Sequence, residues 1–236
     1  MIFISPPFGN YIKLPGTMSI KGSYTLNERP GLVSQIVKTL RFVNYNGERR
    51  WINKIGLRNP GIVYGLQKYN PDRDIISVAI MDKKDINKLN EIIPNETNIE
   101  INISCPNAEK HMVNDGINVF LNDKRKWCIV KLSPTTDKSL IDSYYSQGFR
   151  QFHCSNTVPS PKGGISGNIL IPYTSDLVRY IRTKYSDSTV IAGGGIYNTG
   201  TMEYYKRIGA THVSVSTIFF HPGKFIPFFY KYYTGN

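Results

Sequence analysis

The chain has 236 residues and a formal net charge of +12, with 40% hydrophobic and 19% charged residues. This composition excludes a disordered chain, and the length is that of one domain, residues 1–236. The basic residues are scattered, with short clusters at 49–50 and 124–126, so no nucleic-acid partner is expected.

The cysteines and the apolar runs of the sequence indicate the cellular location that is expected for the protein. Cys105, Cys128 and Cys154 lack the spacing of disulfide frameworks and zinc sites, which favours reduced thiols and no bound metal. Cys128 and Cys154 lie inside predicted strands and are interpreted as buried apolar side chains. The N-terminus lacks a basic region and contains prolines, and no apolar run reaches the ~18–20 residues of a membrane helix. We therefore expect a soluble cytoplasmic protein.

Short β-rich runs alternate with amphipathic segments along the chain. The predicted strands are 11–15, 32–38, 75–80, 99–103, 127–132, 149–154, 189–193 and 212–216. The predicted helices are 83–93, 138–147, 174–185 and 199–208. This alternation is typical of parallel strands with crossover helices and predicts an α/β protein with a (β/α)8 TIM barrel. In that fold the catalytic residues lie at the C-terminal ends of the strands.

Two reactive side chains follow predicted strands four and five. Cys105 lies in the segment Asn102–Asn107, where an apolar strand becomes polar and Pro106 prevents further strand pairing. A thiol can exchange a proton near neutral pH when its neighbours adjust its pKa. Lys131 ends strand five, where an ammonium suits an anion or a developing negative charge. The alternative for Lys131 is a side chain that extends to the solvent at the rim.

Small residues follow predicted strands six, seven and eight. They form the segments Gly163–Gly167, Gly193–Gly195 and Ser214–Thr217. Such loops let a phosphate approach backbone N–H groups closely. Any one of these loops has an ordinary turn as its alternative, but three in register with consecutive strands favour a phosphate site.

Four asparagines are predicted at the same mouth of the barrel. They are Asn53, Asn102, Asn107 and Asn156. Each amide offers a donor and an acceptor, which together suit a flat heterocycle with alternating N–H and C=O groups. Any single asparagine is also common in turns.

Taken together, these segments resemble dihydroorotate dehydrogenases. The matching segments occur in the family's order and are Lys38-Thr39, Asn53–Leu57, Asn102–Asn107, Lys131-Leu132, Asn156-Thr157, Gly163–Gly167, Gly193–Ile196 and Ser216-Thr217. The Asn102–Asn107 segment is the most specific of them. Its cysteine resembles that of the soluble, cysteine-base class of the family.

The resemblance implies FMN-dependent oxidation of dihydroorotate to orotate in pyrimidine biosynthesis. The substrate's C6 hydride would pass to flavin N5, and Cys105 would remove the C5 proton. The implied FMN-binding residues are Gly16, Lys38, Thr39, Asn102, Lys131, Gly167, Gly194, Gly195, Ser216 and Thr217. The implied substrate-binding residues are Asn53, Gly56, Leu57, Asn102, Asn107, Asn156 and Thr157. Lys131 would also act in catalysis by offsetting negative charge near flavin N1.

The electron acceptor stays open among fumarate, a partner protein relaying to NAD, and a quinone, and a homodimer is compatible with the resemblance. A dihydrouridine synthase-like flavoenzyme acting on RNA is one alternative, favoured by the basic charge and opposed by Asn107 after Cys105-Pro106. The other alternative is a catalytically degenerate flavin-binding barrel, which the compressed loops after Asn59 and Asn107 permit.

Overall fold

The computed structural model describes residues 1–103 and 115–235. Its strands are β1 (Ile2–Ile4), β2 (Thr17–Tyr24), β3 (Arg41–Tyr45), β4 (Glu48–Asn53), β5 (Asp74–Val78), β6 (Ile99–Asn102), β7 (Cys128–Leu132), β8 (Gln151–Cys154), β9 (Val158–Ser160), β10 (Gly163–Ser166), β11 (Thr189–Gly193) and β12 (His212–Val215). Eight of them close into a barrel of parallel pairs in the order β1-β12-β11-β8-β7-β6-β5-β2. The predicted (β/α)8 barrel is confirmed.

Helices connect most of the barrel strands. They are α1 (Leu32–Thr39), α2 (Ile62–Gln67), α3 (Asp85–Ile92), α4 (Lys138–Ser146), α5 (Leu170–Lys184), α6 (Thr199–Arg207) and α7 (Pro222–Thr234). Side-chain caps fix two of the starts: Asp137 accepts from the backbone N–H of Ser139 at 2.8 Å, and Asn198 accepts from that of Thr201 at 2.9 Å. Within the described ranges, no helix has the length and apolarity needed to cross a membrane.

A second sheet lies at the C-terminal end of the barrel. It has four antiparallel strands in the order β3-β4-β10-β9. Its two halves come from the connections that follow β2 and β8, so both leave the barrel at the same end. The sheet therefore forms a wall beside the mouth of the barrel, where the fold places functional residues.

The predictions for the first two strands are wrong, whereas the other six predicted strands and the four predicted helices are confirmed with small shifts of their ends. Residues 11–15 contain no strand, and 32–38 form helix α1. In α1 the apolar residues recur at helical spacing, and the β-branched residues among them made the segment resemble a strand. The first two barrel strands are instead β1 and β2, and in β2 Met18 and Ile20 are buried on one face.

The barrel interior has two layers. The lower layer, here called the apolar floor, is one cluster of buried residues: Phe3, Met18, Ile20, Ile75, Trp127, Ile129 and Ile191. Side chains alternate along a strand, so the residues two positions further along face inward above the floor. Ser5, Ser77 and Lys131 lie at such positions. Together with Glu100, His153 and Ser214 from neighbouring strands they form the polar layer, and all six residues are buried.

Candidate active site

Glu100 is the centre of the polar layer. Its carboxylate is fully buried and lies 2.6 Å from His153 Nδ1 and 3.4 Å from Lys131 Nζ. The Ser77 hydroxyl donates to the same carboxylate at 2.9 Å. A chain of contacts continues upward, because Ser77 Oγ lies 2.8 Å from Ser23 Oγ, to which the Asn102 amide donates at 2.7 Å. The network thus links the barrel interior to an asparagine at the mouth.

This network fixes the protonation states of Glu100 and His153. Burial opposes the charged form of Glu100, but the charge of Lys131 and the interactions with His153 and Ser77 outweigh it and lower its pKa from 4.5 to about 2. Burial also lowers the pKa of His153 below 6.5, against the attraction of Glu100. Lys131 already balances the carboxylate, so a second buried cation is disfavoured. At neutral pH the layer therefore holds an ionised Glu100 beside a neutral imidazole.

Two adjoining cavities lie above the polar layer. The smaller has a volume of about 300 Å³ and the larger about 940 Å³. Both are lined by Lys131, Asn53, Asn156 and Thr157, so they meet at these residues. An ammonium from the barrel interior therefore lies between two ligand-sized spaces.

The larger cavity gathers most of the predicted substrate-binding residues. It is lined by Asn53, Gly56, Leu57, Asn102, Asn156 and Thr157, which come from three separate parts of the chain. Their role in binding stays a prediction, but the fold brings them to one space together with Lys131. The predicted Cys105 and Asn107 lie outside the described residues.

The smaller cavity gathers the predicted phosphate loops. Gly194, Gly195, Ser216 and Thr217 all line it. Gly194 and Gly195 have φ of +95° and +73°, and a Cβ on Gly194 would come within 2.7 Å of Leu170. Only glycine suits this loop, whose backbone lies open to the cavity. Gly167 does not line the cavity, although a Cβ there would lie 3.4 Å from the hydroxyl of Tyr197, which does.

Besides Gly167, three predicted cofactor residues line neither cavity. Lys38 and Thr39 were expected to end a strand; they end helix α1 instead, where Lys38 is exposed and Thr39 Oγ1 accepts from the Lys54 backbone N–H at 3.0 Å. Gly16 directly precedes β2 and is exposed at the N-terminal end of that strand, away from the mouth. Neither placement supports the flavin contact that was expected of these residues.

Comparison with known proteins identifies the family. The family model described as dihydroorotate dehydrogenase matches residues 9–228. The chain belongs to the dihydroorotate dehydrogenase family. The sequence-based assignment to these CH–CH oxidoreductases is thereby confirmed.

Two bacterial relatives illustrate the similarity. Both are named dihydroorotate dehydrogenase B (NAD(+)), catalytic subunit. The protein of Thermotoga maritima is 25% identical over 264 aligned positions, which cover 94% of this chain and 92% of the relative. That of Cutibacterium acnes is 27% identical over 202 residues, which cover 70% of this chain and 66% of the relative.

Two solved structures of DHODH from Eimeria tenella share the fold. The ligand-free form has a TM-score of 0.71 and 17% identity, and the match covers 96% of this chain and 80% of that one. The complex with ferulenol has a TM-score of 0.65 and 17% identity, with coverage of 89% and 72%.

A strained loop of this dihydroorotate dehydrogenase family member lines the larger cavity. Gly56 and Leu57 both have positive φ, at +70° and +57°, and a positive φ is rare for leucine. The buried amide of Asn59 holds the loop by donating to the Leu57 carbonyl at 2.8 Å and accepting from the backbone N–H groups of Thr25 and Gly61. Arg29 donates to the Gly56 carbonyl at 3.4 Å. Neighbouring groups thus hold the backbone at these two residues in this conformation.

Sequence reasoning missed three charged or titratable residues of the family member's interior. Glu100 and His153 were covered by predicted strands, and the signal was a polar residue at an inward position of an apolar strand. Lys21 lines the larger cavity, but its ammonium is already bound by Asp74 at 2.5 Å and by the Lys68 carbonyl at 2.6 Å. The sequence carried no clear signal for Lys21, because β2 was not among the predicted strands.

Proposed function

We propose that the protein is an FMN-dependent dihydroorotate dehydrogenase that oxidises dihydroorotate to orotate. The observation that carries the proposal is the pair of cavities that meet at Lys131. One is lined by the glycine and hydroxyl loops expected for a phosphate, the other by the asparagines expected for a pyrimidine. The family assignment supports the same reaction.

The residues of the smaller cavity fit FMN. Its volume of about 300 Å³ lies at the lower end of the ~300–1,000 Å³ of small-molecule sites, and its outer wall is aromatic. Trp51 stacks on Phe220 with ring centroids 4.3 Å apart, and its Nε1 donates to His221 Nε2 at 3.2 Å. Gly194, Gly195, Ser216 and Thr217 would hold the phosphate, and Lys131 the pyrimidine end of the flavin. When bound, FMN would supply the hydride acceptor for substrate C6.

The remaining roles fall to residues of this chain. Asn53, Asn102 and Asn156 would orient the substrate ring, and the Gly56 and Leu57 backbone would bind its carboxylate. Cys105 would take the C5 proton, a role assigned from the sequence. The relatives' designation as an NAD(+)-dependent catalytic subunit supports electron transfer to NAD through a partner subunit. The buried free thiols of Cys128 and Cys154 support a reducing, cytoplasmic location.

Replacement of Cys105 tests the proposed chemistry. Cys105→Ala should slow flavin reduction by dihydroorotate roughly 10²–10⁴-fold, the usual contribution of a general base. Cys105→Ser should keep part of the rate, with its pH optimum moved upward, because an alcohol is a weaker acid than a thiol. The rates are measured by anaerobic stopped flow, and FMN content should stay unchanged.

Cys128→Ala is the matched control, since this thiol is buried in β7 and lines neither cavity. It should reduce its flavin at the wild-type rate. Equal rates in Cys105→Ala and wild type would remove Cys105 from the reaction.

A further inference from the structure

His153 occupies a position in the barrel that the proposed chemistry leaves without a role. It lies directly opposite Lys131 on the neighbouring strand, and Lys131 in turn lies opposite Asn102. The three form a row across β6, β7 and β8, with side chains on the inner face of the barrel. Adjacent strands are ~4.8 Å apart, so neighbouring side chains of the row are close enough to contact one planar ring. His153 lines the smaller cavity and is buried from bulk solvent.

Glu100 determines what His153 offers to that cavity. An ionised carboxylate only accepts hydrogen bonds, so the imidazole nitrogen 2.6 Å away, Nδ1, must carry its hydrogen. In a neutral imidazole the other nitrogen, Nε2, is then an acceptor. Nε2 lies on the side of Gly193, where a Cβ would come within 3.0 Å of it. The row thus presents an ammonium donor beside an imidazole acceptor.

We propose that His153 is a ligand-binding residue whose Nε2 accepts a hydrogen bond from the ring N–H of a cyclic imide, while Lys131 donates to the adjacent ring carbonyl. This inference rests on the proposed function. The pyrimidine end of FMN carries such an edge, and so does dihydroorotate. His153 lines the smaller cavity and is not among the residues that line the larger one, which assigns the edge to FMN.

The proposal requires a neutral imidazole. The charged groups that face His153 are Glu100 from β6 and Lys131 from β7, and Ser214 lies nearby on β12. Protonation would turn Nε2 into a donor that opposes the ring N–H. FMN affinity should therefore fall as the pH falls below the pKa of His153, which lies below 6.5.

The first test compares two ligands and two proteins. FMN and N3-methyl-FMN are titrated into FMN-free wild type and His153→Ala, with binding followed by flavin fluorescence. His153→Ala should lose roughly tenfold in FMN affinity, the equivalent of one net hydrogen bond. It should bind N3-methyl-FMN as well as wild type does, or better, because this ligand lacks the ring N–H that would donate to His153. Equal losses for both flavins would make His153 structural and overturn the proposal.

The second test uses pH and a conservative variant. The ratio of wild-type to His153→Ala affinity for FMN should stay constant above pH 6.5 and shrink as the pH falls through the pKa of His153, which burial places below 6.5. The phosphate of FMN titrates in the same range in both proteins, so the ratio isolates the histidine. His153→Gln, whose amide offers both a donor and an acceptor, should recover part of the affinity without this pH dependence. A ratio that stays constant through the pH range in which the His153 imidazole protonates would contradict the proposal.

The control is His212, which lies one layer lower and contacts the rings of Phe3 and Trp127. His212→Gln should keep the wild-type affinity and pH profile, and a similar loss there would show a general effect on the barrel. Orotate binding to the FMN-loaded proteins should be equal in wild type and His153→Ala. A loss confined to orotate would assign the imide edge to the substrate and overturn the assignment to FMN. Wild-type protein that binds no FMN would overturn the proposed function and this inference together.

Discussion

The apolar floor and the polar layer of the barrel lie only two residues apart along the same strands, yet their side chains make different kinds of contact. Ile129 belongs to the floor and Lys131 to the polar layer, and both are buried. Floor side chains contact one another through apolar surfaces, as Phe3 and Trp127 do with ring centroids 5.4 Å apart. Polar-layer side chains contact one another through charges and hydrogen bonds.

The comparison separates stability from chemistry within one barrel. Apolar burial stabilises the fold wherever it occurs, whereas a buried ion pair roughly offsets its own desolvation. The polar layer is therefore a costly arrangement for stability alone, and its position beneath the cavities explains its composition. We expect variants of the floor to change the free energy of unfolding without changing flavin chemistry in the folded protein, whereas variants of Lys131 in the polar layer also change flavin chemistry.

The largest expected effect on stability is in the floor. Phe3→Ala removes a fully buried ring and should lower the free energy of unfolding by about 3–5 kcal/mol, measured by urea denaturation. The folded fraction should reduce its flavin at a rate near wild type. A stable Phe3→Ala protein with slow reduction would contradict the separation of the two layers.

A loss of rate in folded protein is expected for Lys131→Met, which keeps the length of the side chain and removes its charge. Flavin reduction should slow by roughly 10²–10³-fold, as for the loss of one preorganised electrostatic partner. The rate is compared in the absence of urea, because leaving Glu100 buried without its cation also lowers the free energy of unfolding. Stopped-flow reduction at the wild-type rate would remove Lys131 from the mechanism.

Acid should act on the polar layer through Glu100. Its pKa in the folded protein is about 2, below the ordinary 4.5, so its contribution is present above pH 4.5 and is lost as the pH falls toward 2. The stability difference between wild type and Glu100→Gln, measured by urea denaturation, should therefore narrow over this range. A difference that is constant with pH would show that Glu100 is not held ionised.

The smallest expected effect concerns two serines of the polar layer. Ser5 Oγ and Ser214 Oγ lie 2.5 Å apart and are buried. Ser214→Ala should cost about 1 kcal/mol of unfolding free energy, the typical net value of one hydrogen bond. In a double-mutant cycle with Ser5→Ala the costs should be less than additive. Strictly additive costs would mean that the two hydroxyls act independently.

The sequence predicted the later part of the barrel better than its beginning. The six predicted strands from residue 75 onward are apolar runs bounded by polar residues. In these strands the sequence pattern agrees with the burial of the side chains in the structure. Strand β1 has only three residues, and β2 contains Lys21 and Gly22, so neither resembles a buried strand. The run in α1 resembles one, although it forms an exposed helix beside the mouth.

The candidate site was likewise predicted only in part, namely where its residues lie near recognisable sequence elements. Lys131, Asn53 and Asn156 were predicted because each lies near the end of a recognisable segment, and the fold brings them together. The contact of Glu100 with His153 spans 53 residues, so only closure of the barrel creates it. Lys38 was expected at the end of a strand because its segment, which forms α1, was assigned to the wrong element.

The proposed oxidation of dihydroorotate by bound FMN is tested most directly by the absorbance spectrum of the purified protein before and after anaerobic addition of dihydroorotate. We predict flavin bands in the untreated protein, from FMN at near-equal stoichiometry, and their bleaching on addition of dihydroorotate. Flavin bands that persist with dihydroorotate but bleach with dithionite would contradict the proposed reaction. A protein without flavin bands, even after incubation with FMN, would contradict the assignment of the smaller cavity.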